Sequence, residues 1–121
     1  MRQHILRELP EEACGIVGGR EGTSKTVFEI KNVLKSPVRF RMEPGEQVRA
    51  FLEMERLGMD LLAIYHSHPR GPSEPSQTDL EEFTYPGTPY LIWYPEGEDW
   101  TCQAFLLSSN GTRKIPYLVV E

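Results

Sequence analysis

Cysteine, histidine and long apolar runs are all scarce in this chain, and each scarcity removes a class of function. The two cysteines, Cys14 and Cys102, lie far apart in sequence. They form neither a CxxC pair nor a framework of bridges, which sets aside a disulfide scaffold and a cysteine-rich metal site. Each is expected as a small buried apolar residue in a reducing compartment. No apolar stretch approaches the ~20 residues of a membrane span. The opening MRQHILRELPEEACG flanks its few apolar residues with charges and lacks the uninterrupted core of a signal peptide. Positive charge is short as well: 13 Lys and Arg face 18 Asp and Glu, for a net charge of −5. Such a chain does not build the positive field that phosphate backbones require, so nucleic acid is not expected as a partner. These absences together predict a soluble, cytoplasmic protein with no membrane attachment.

What is present fits one domain over residues 1–121. Apolar residues make up 39% and charged residues 26%, a globular balance. Residues 1–9 predict a short helix, with Ile5 and Leu9 four apart and Pro10 ending it. ACGIVGG has strand length and REGTSK is a turn by composition. TVFEIKNVL and VRFRM both alternate, which predicts two paired strands separated by Ser36 and Pro37. PGEQVRAFLEMERLG is the best helix, with Pro44 at its start, Gly58 at its stop, and Val48, Phe51, Leu52 and Leu57 in its apolar stripe. MDLLAIYH is nearly continuous in apolar residues, the pattern of a strand covered on both faces. SQTDLEEF predicts a short helix. YLIWY, TCQAFLL and KIPYLVV predict three closing strands, with SNGT as a hairpin turn. The order α β β β α β α β β β gives a mixed α/β domain, a central sheet flanked by helices.

The densest chemistry lies in HSHPRGPSEPSQTD, residues 66–79, which holds two of the three histidines. His66 and His68 are two apart at a strand's end, so their rings point to one face and can converge on one ion. The Gly/Pro-rich loop returns the chain to a helix whose first turn carries Asp79. Two imidazoles and a carboxylate suit a borderline cation such as zinc, and three protein ligands leave a fourth position open, as in catalytic sites. A plainer reading stands beside this one. SQTD is also a helix start, with Ser76 as N-cap and an acidic residue at N3. Two histidines at a strand end are often polar surface residues. His4, on the first helix, is expected at the surface.

HxHP, six residues, then SxxD resembles the signature of the JAMM (MPN+) metalloproteases. LPEEACGIVGG is similar to the glutamate-bearing opening of that family, with Glu12 just before an apolar strand. The resemblance covers essentially the whole chain and fills all five motif positions. It departs in having Ile64 before Tyr65, where members often carry an aromatic pair, and in lacking the long insertions of eukaryotic deubiquitinases. It implies the MPN/JAMM fold, which is cytidine-deaminase-like. It implies Zn2+ held by His66, His68 and Asp79, with Glu12 as general base and Ser76 directing its hydroxyl at the reacting carbonyl oxygen. The implied activity is hydrolysis of a peptide or isopeptide bond after the Gly-Gly tail of a ubiquitin-like or sulfur-carrier protein. The alternative is a non-catalytic scaffold of the same fold, whose members lose motif residues. A deaminase would need PCxxC ligands that two distant cysteines cannot supply. A homodimer is compatible with YLVV near the C-terminus, which can pair with another chain's edge.

Overall fold

A computed structural model describes residues 1–117. The elements are α1 (Arg2–Glu8), β1 (Cys14–Arg20), β2 (Thr23–Ile30), α2 (Pro44–Leu57), β3 (Asp60–Ser67), α3 (Gln77–Glu82), β4 (Tyr90–Glu96), β5 (Asp99–Ser108) and β6 (Gly111–Ile115). The strands form one sheet in the order β2-β1-β3-β4-β5-β6. Every neighbouring pair is antiparallel except β3 and β4, whose parallel pairing needs the crossover that carries α3. The mixed α/β sheet expected from the sequence is present.

Side-chain alternation divides the core between the two faces. Ile16, Ile64, Ile92 and Phe105 pack on one face with Ala50 and Met54 of α2. Val17, Ala63 and Tyr65 pack on the other. Gly15 is required there, because a Cβ at that position would overlap the Tyr65 ring. β3 is central and contributes to both clusters, which explains its nearly unbroken apolar sequence.

α2 begins and ends as its sequence predicts. Pro44 is at its start, Glu43 accepts from the amides of Gly45 and Glu46, and Gly58 closes it with φ 68°. Its buried stripe differs from the expected one. Ala50 and Met54 are buried, whereas Val48 and Leu52 are 57% and 60% exposed. The helix sits close to the sheet through a small residue at 50 and through Met54, whose sulfur packs where Gly18 lacks a side chain. That close approach rotates Val48 and Leu52 outward.

Three further expectations are corrected. VRFRM is not a strand: β2 stops at Ile30, and the returning chain makes one isolated bridge, Asn32 to Met42. The amides of Leu34 and Arg41 bond to the Asn32 side chain in place of a ladder. His4 is not a surface residue. It is 3% exposed, and its Nδ1 is hydrogen-bonded to the buried Tyr65 hydroxyl at 2.7 Å, tying α1 to the sheet. The last strand is Gly111–Ile115, earlier than KIPYLVV suggested, and most of YLVV lies outside the described residues.

Candidate metal centre and active site

β3 ends at Ser67 with its neighbours β1 and β4 on either side, so the side chains leaving its C-terminal end are enclosed. His66 is 0% exposed and His68 is 4% exposed. Being two apart, both rings leave the same face. The loop after Pro69 returns through Pro72, whose carbonyl accepts from His68 Nδ1 at 2.9 Å. That bond fixes the tautomer and leaves a lone pair on Nε2.

α3 supplies the carboxylate. Ser76 is its N-cap, and its oxygen accepts from the Asp79 amide at 3.0 Å while Asp79 Oδ2 accepts from the Ser76 amide at 2.9 Å. This capping box is the plainer reading of SQTD, and it is realised. The structure also brings the three side chains expected as ligands together. Asp79 Oδ2 also lies 3.1 Å from His66 Nε2 and 3.1 Å from His68 Nε2, and the two nitrogens are 3.1 Å apart.

Three equidistant electron-rich atoms in a buried pocket suit a cation. Tetrahedral ligands at ~2.0 Å from one ion lie about 3.3 Å from each other, close to the observed triangle. One proton cannot serve all three contacts, since His68 Nε2 carries a lone pair facing a carboxylate. A single cation among them satisfies all three. His66 Nδ1 is buried without a hydrogen-bond partner among the described residues, and it would carry the ring's proton when Nε2 faces a cation.

The electrostatics agree. Burial would raise the Asp79 carboxyl, but the two imidazoles and the Ser76 amide hold it far below the usual carboxylate range. Burial depresses His66. Burial would also depress His68, yet Asp79, the Pro72 carbonyl and Glu12 together raise it. The pocket thus holds a fixed negative charge beside buried imidazoles.

Glu12 arrives from the segment before β1. It is 3% exposed, and its Oε1 has no hydrogen-bond partner among the described residues. One ligand atom from each of Glu12, His66 and His68 falls within 4.8 Å of the others. Burial pushes its pKa from 4.5 up to about 8, with His68 lowering it and Asp79 raising it further. Glu11, its sequence neighbour, is half-buried and lies outside this cluster. Two clefts flank the centre, one of about 320 Å³ lined in part by Asp79 and Phe40, the other of about 380 Å³ lined in part by Glu12.

Residues 1–106 match the family of prokaryotic homologs of the JAB domain. The chain belongs to that family. It is 40% identical to a probable TtuB-protein conjugate cleaving protease of Thermus thermophilus, over 88% of this chain and 68% of that protein. It is 36% identical to the desampylase of Haloferax volcanii, over 86% of this chain and 80% of that one. The solution structure of a protein from Desulfitobacterium hafniense superposes with a TM-score of 0.89 at 33% identity, covering 100% of this chain and 86% of its own. The JAB assignment agrees with the MPN/JAMM resemblance, and the buried Glu-His-His cluster together with the family points to a metal site.

Several residues that build this JAB site gave no motif signal. Ser67, between the two histidines, accepts from the Ala13 amide through Oγ at 2.8 Å and donates its own amide to the Ala13 carbonyl at 3.0 Å. It thereby fastens the Glu12 segment to β3. Phe40 stacks on the His66 ring with centroids 4.4 Å apart. Only the period-2 logic of HxH, which sends its middle residue to the opposite face, could have singled out Ser67.

Proposed function

We propose that this JAB-family protein is a zinc-dependent peptidase or isopeptidase, cleaving the bond after the Gly-Gly tail of a ubiquitin-like or sulfur-carrier protein. The observation that carries the reading is the 3.1 Å triangle of His66 Nε2, His68 Nε2 and Asp79 Oδ2, with Glu12 beside it, its Oε1 buried and without a partner among the described residues. His66, His68 and Asp79 would hold the ion. When bound, zinc supplies a Lewis acid that polarises a carbonyl and makes water acidic enough to ionise near neutral pH.

The chain's own residues supply the proton transfers. Glu12 takes the proton of the attacking water and returns it to the departing amine. Burial, which raises the carboxyl's affinity for a proton, suits it to take one from water and hand it on within a shielded site. The cap of α3 uses a lone pair of Ser76 Oγ and leaves its O–H to donate to the carbonyl oxygen as negative charge develops there. The burial of His66 and His68 excludes bulk water from competing for the same contacts.

The substrate class is supported by the relatives, whose names include a TtuB-protein conjugate cleaving protease, desampylases and CysO-cysteine peptidases. A Gly-Gly tail suits a narrow approach beside the ion, because glycine lets two backbones come close. A cytoplasmic location belongs to the same proposal. It is supported by two buried, unbridged cysteines, and no described helix is long and apolar enough to cross a membrane.

The test is cleavage of a ubiquitin-like protein fused through its Gly-Gly tail to a peptide, with and without a chelator, for the wild type and Glu12→Gln. Wild type should cleave only with metal, and Glu12→Gln should bind zinc and not cleave. A Glu12→Gln variant as fast as wild type would remove Glu12 from the mechanism.

A further inference from the structure

We propose that Asn32 is a positioning residue for Glu12, an inference that rests on the peptidase reading above. Glu12 lies before β1, and the β1–β2 ladder begins only at Cys14 paired with Ile30. Regular strand pairing therefore does not reach the residue that carries the carboxylate. The Asn32 side chain takes its place. Nδ2 donates to the Glu12 carbonyl at 3.1 Å and to the Arg39 carbonyl at 3.0 Å, while Oδ1 accepts from the amides of Leu34 at 3.1 Å and Arg41 at 3.0 Å. Both donors and both acceptor sites of the amide are used.

The segment folded around Asn32 then closes on the other side of the same residue. The Glu12 amide donates to the Ser36 carbonyl at 2.8 Å. Glu12 is thus held through both backbone groups by residues 32–36, and its neighbour Ala13 is held through both of its own by Ser67. The same segment carries Phe40 onto His66. A carboxylate that must meet a water molecule at hydrogen-bond distance loses rate steeply when it is displaced by about 1 Å, so a fixed backbone at position 12 matters for turnover.

The test compares Asn32→Ala, which removes all four bonds, with Asn32→Asp, which keeps the Oδ1 acceptor and replaces the donor facing the Glu12 carbonyl. Each is made in the full chain and assayed at a temperature where circular dichroism shows it folded. The readouts are kcat and KM on the Gly-Gly-tailed fusion, zinc affinity by competition with a chromophoric chelator, and hydrogen exchange at the Glu12 amide. Loss of an outer-shell partner should lower kcat about 10- to 100-fold. KM and zinc affinity should hold, and the Glu12 amide should exchange faster while the amides of α2 do not. In a Glu12→Gln background, Asn32→Asp should slow the residual rate no further. Wild-type kcat in Asn32→Asp, an equal loss in the Glu12→Gln background, or unchanged exchange at Glu12 would each overturn the assignment. Failure of both variants to fold would overturn it too, by making Asn32 a residue of stability alone. If wild-type protein does not cleave the fusion, the peptidase reading fails, and the exchange measurement still decides whether Asn32 holds Glu12.

Discussion

Glutamine at position 12 should stabilise the metal-stripped protein, and by more as the pH rises. Glu12 is buried, its Oε1 has no partner among the described residues, and its pKa is pushed from 4.5 to about 8 by that burial. Below pH 4.5 the carboxyl is protonated in both the folded and the unfolded chain, so its burial carries no electrostatic penalty. Between 4.5 and 8 the folded protein keeps a proton that the unfolded chain releases, and stability falls as pH rises. Above 8 the loss is complete. At about 1.4 kcal/mol per tenfold change in proton affinity, the full span corresponds to about 5 kcal/mol, of which about 3 kcal/mol is already lost at pH 7. Glutamine does not titrate. Whatever fixed amount its amide contributes, the gap in unfolding free energy between Glu12→Gln and wild type should widen by about 3 kcal/mol from pH 4 to pH 7. Urea unfolding in the presence of a chelator, repeated across that range, measures the gap directly. Two stability curves that stay parallel would mean that Glu12 ionises in the folded protein as it does in water. The picture of a dry, unpartnered base would then be wrong.

Other consequences are simpler to measure. His68→Ala should lose tight zinc binding in equilibrium dialysis, and Asp79→Asn should weaken it, because each removes one corner of the 3.1 Å triangle. Ser76→Ala should lower stability by about 1 kcal/mol through the lost cap and lower kcat about 100-fold or more through the lost donor. Ser76→Asp should restore the cap and not the rate, which separates the two roles. Burial holds the His4 pKa below 6.5, with Glu29 and Glu8 opposing, so wild type should lose stability as pH falls through 6.5 toward the folded value. His4→Phe should flatten that slope in unfolding titrations, and an unchanged slope would assign it to other groups.

The parts of the site that were legible in the sequence are those where spacing alone dictates direction. His66 and His68 share a face because a strand alternates. Asp79 meets them because the helix start that SQTD announces returns the chain to that face. The polar knot of residues 31–42 was illegible for the opposite reason. Alternation in VRFRM reads as a strand, yet Phe40 and Met42 turn inward from a loop, with Val38 left 55% exposed. The loop is held by backbone bonds, by the packing of Phe40 and Met42, and by an asparagine that bonds to residues up to 20 positions away. Nothing in a local window reports such a partner. His4 was misread likewise, because its burial depends on Tyr65, 61 residues further on.

Asp79 Oδ2 ties these levels together. The same oxygen accepts the Ser76 amide that opens α3 and faces both imidazoles. α3 has only six residues, too few to persist as an isolated helix, and none of them is fully buried. Its start must therefore be set by contacts beyond the helix, which include those of Asp79 with both imidazoles, the packing of Leu80 on the core and the Arg39–Glu82 ion pair. The cap and the proposed ligand are one group in one geometry, so the helix start and the proposed metal site in SQTD do not exclude each other. What the helix gains from its first turn is also what aims the carboxylate at the two imidazoles, and the fold spends no separate element on the proposed third ligand.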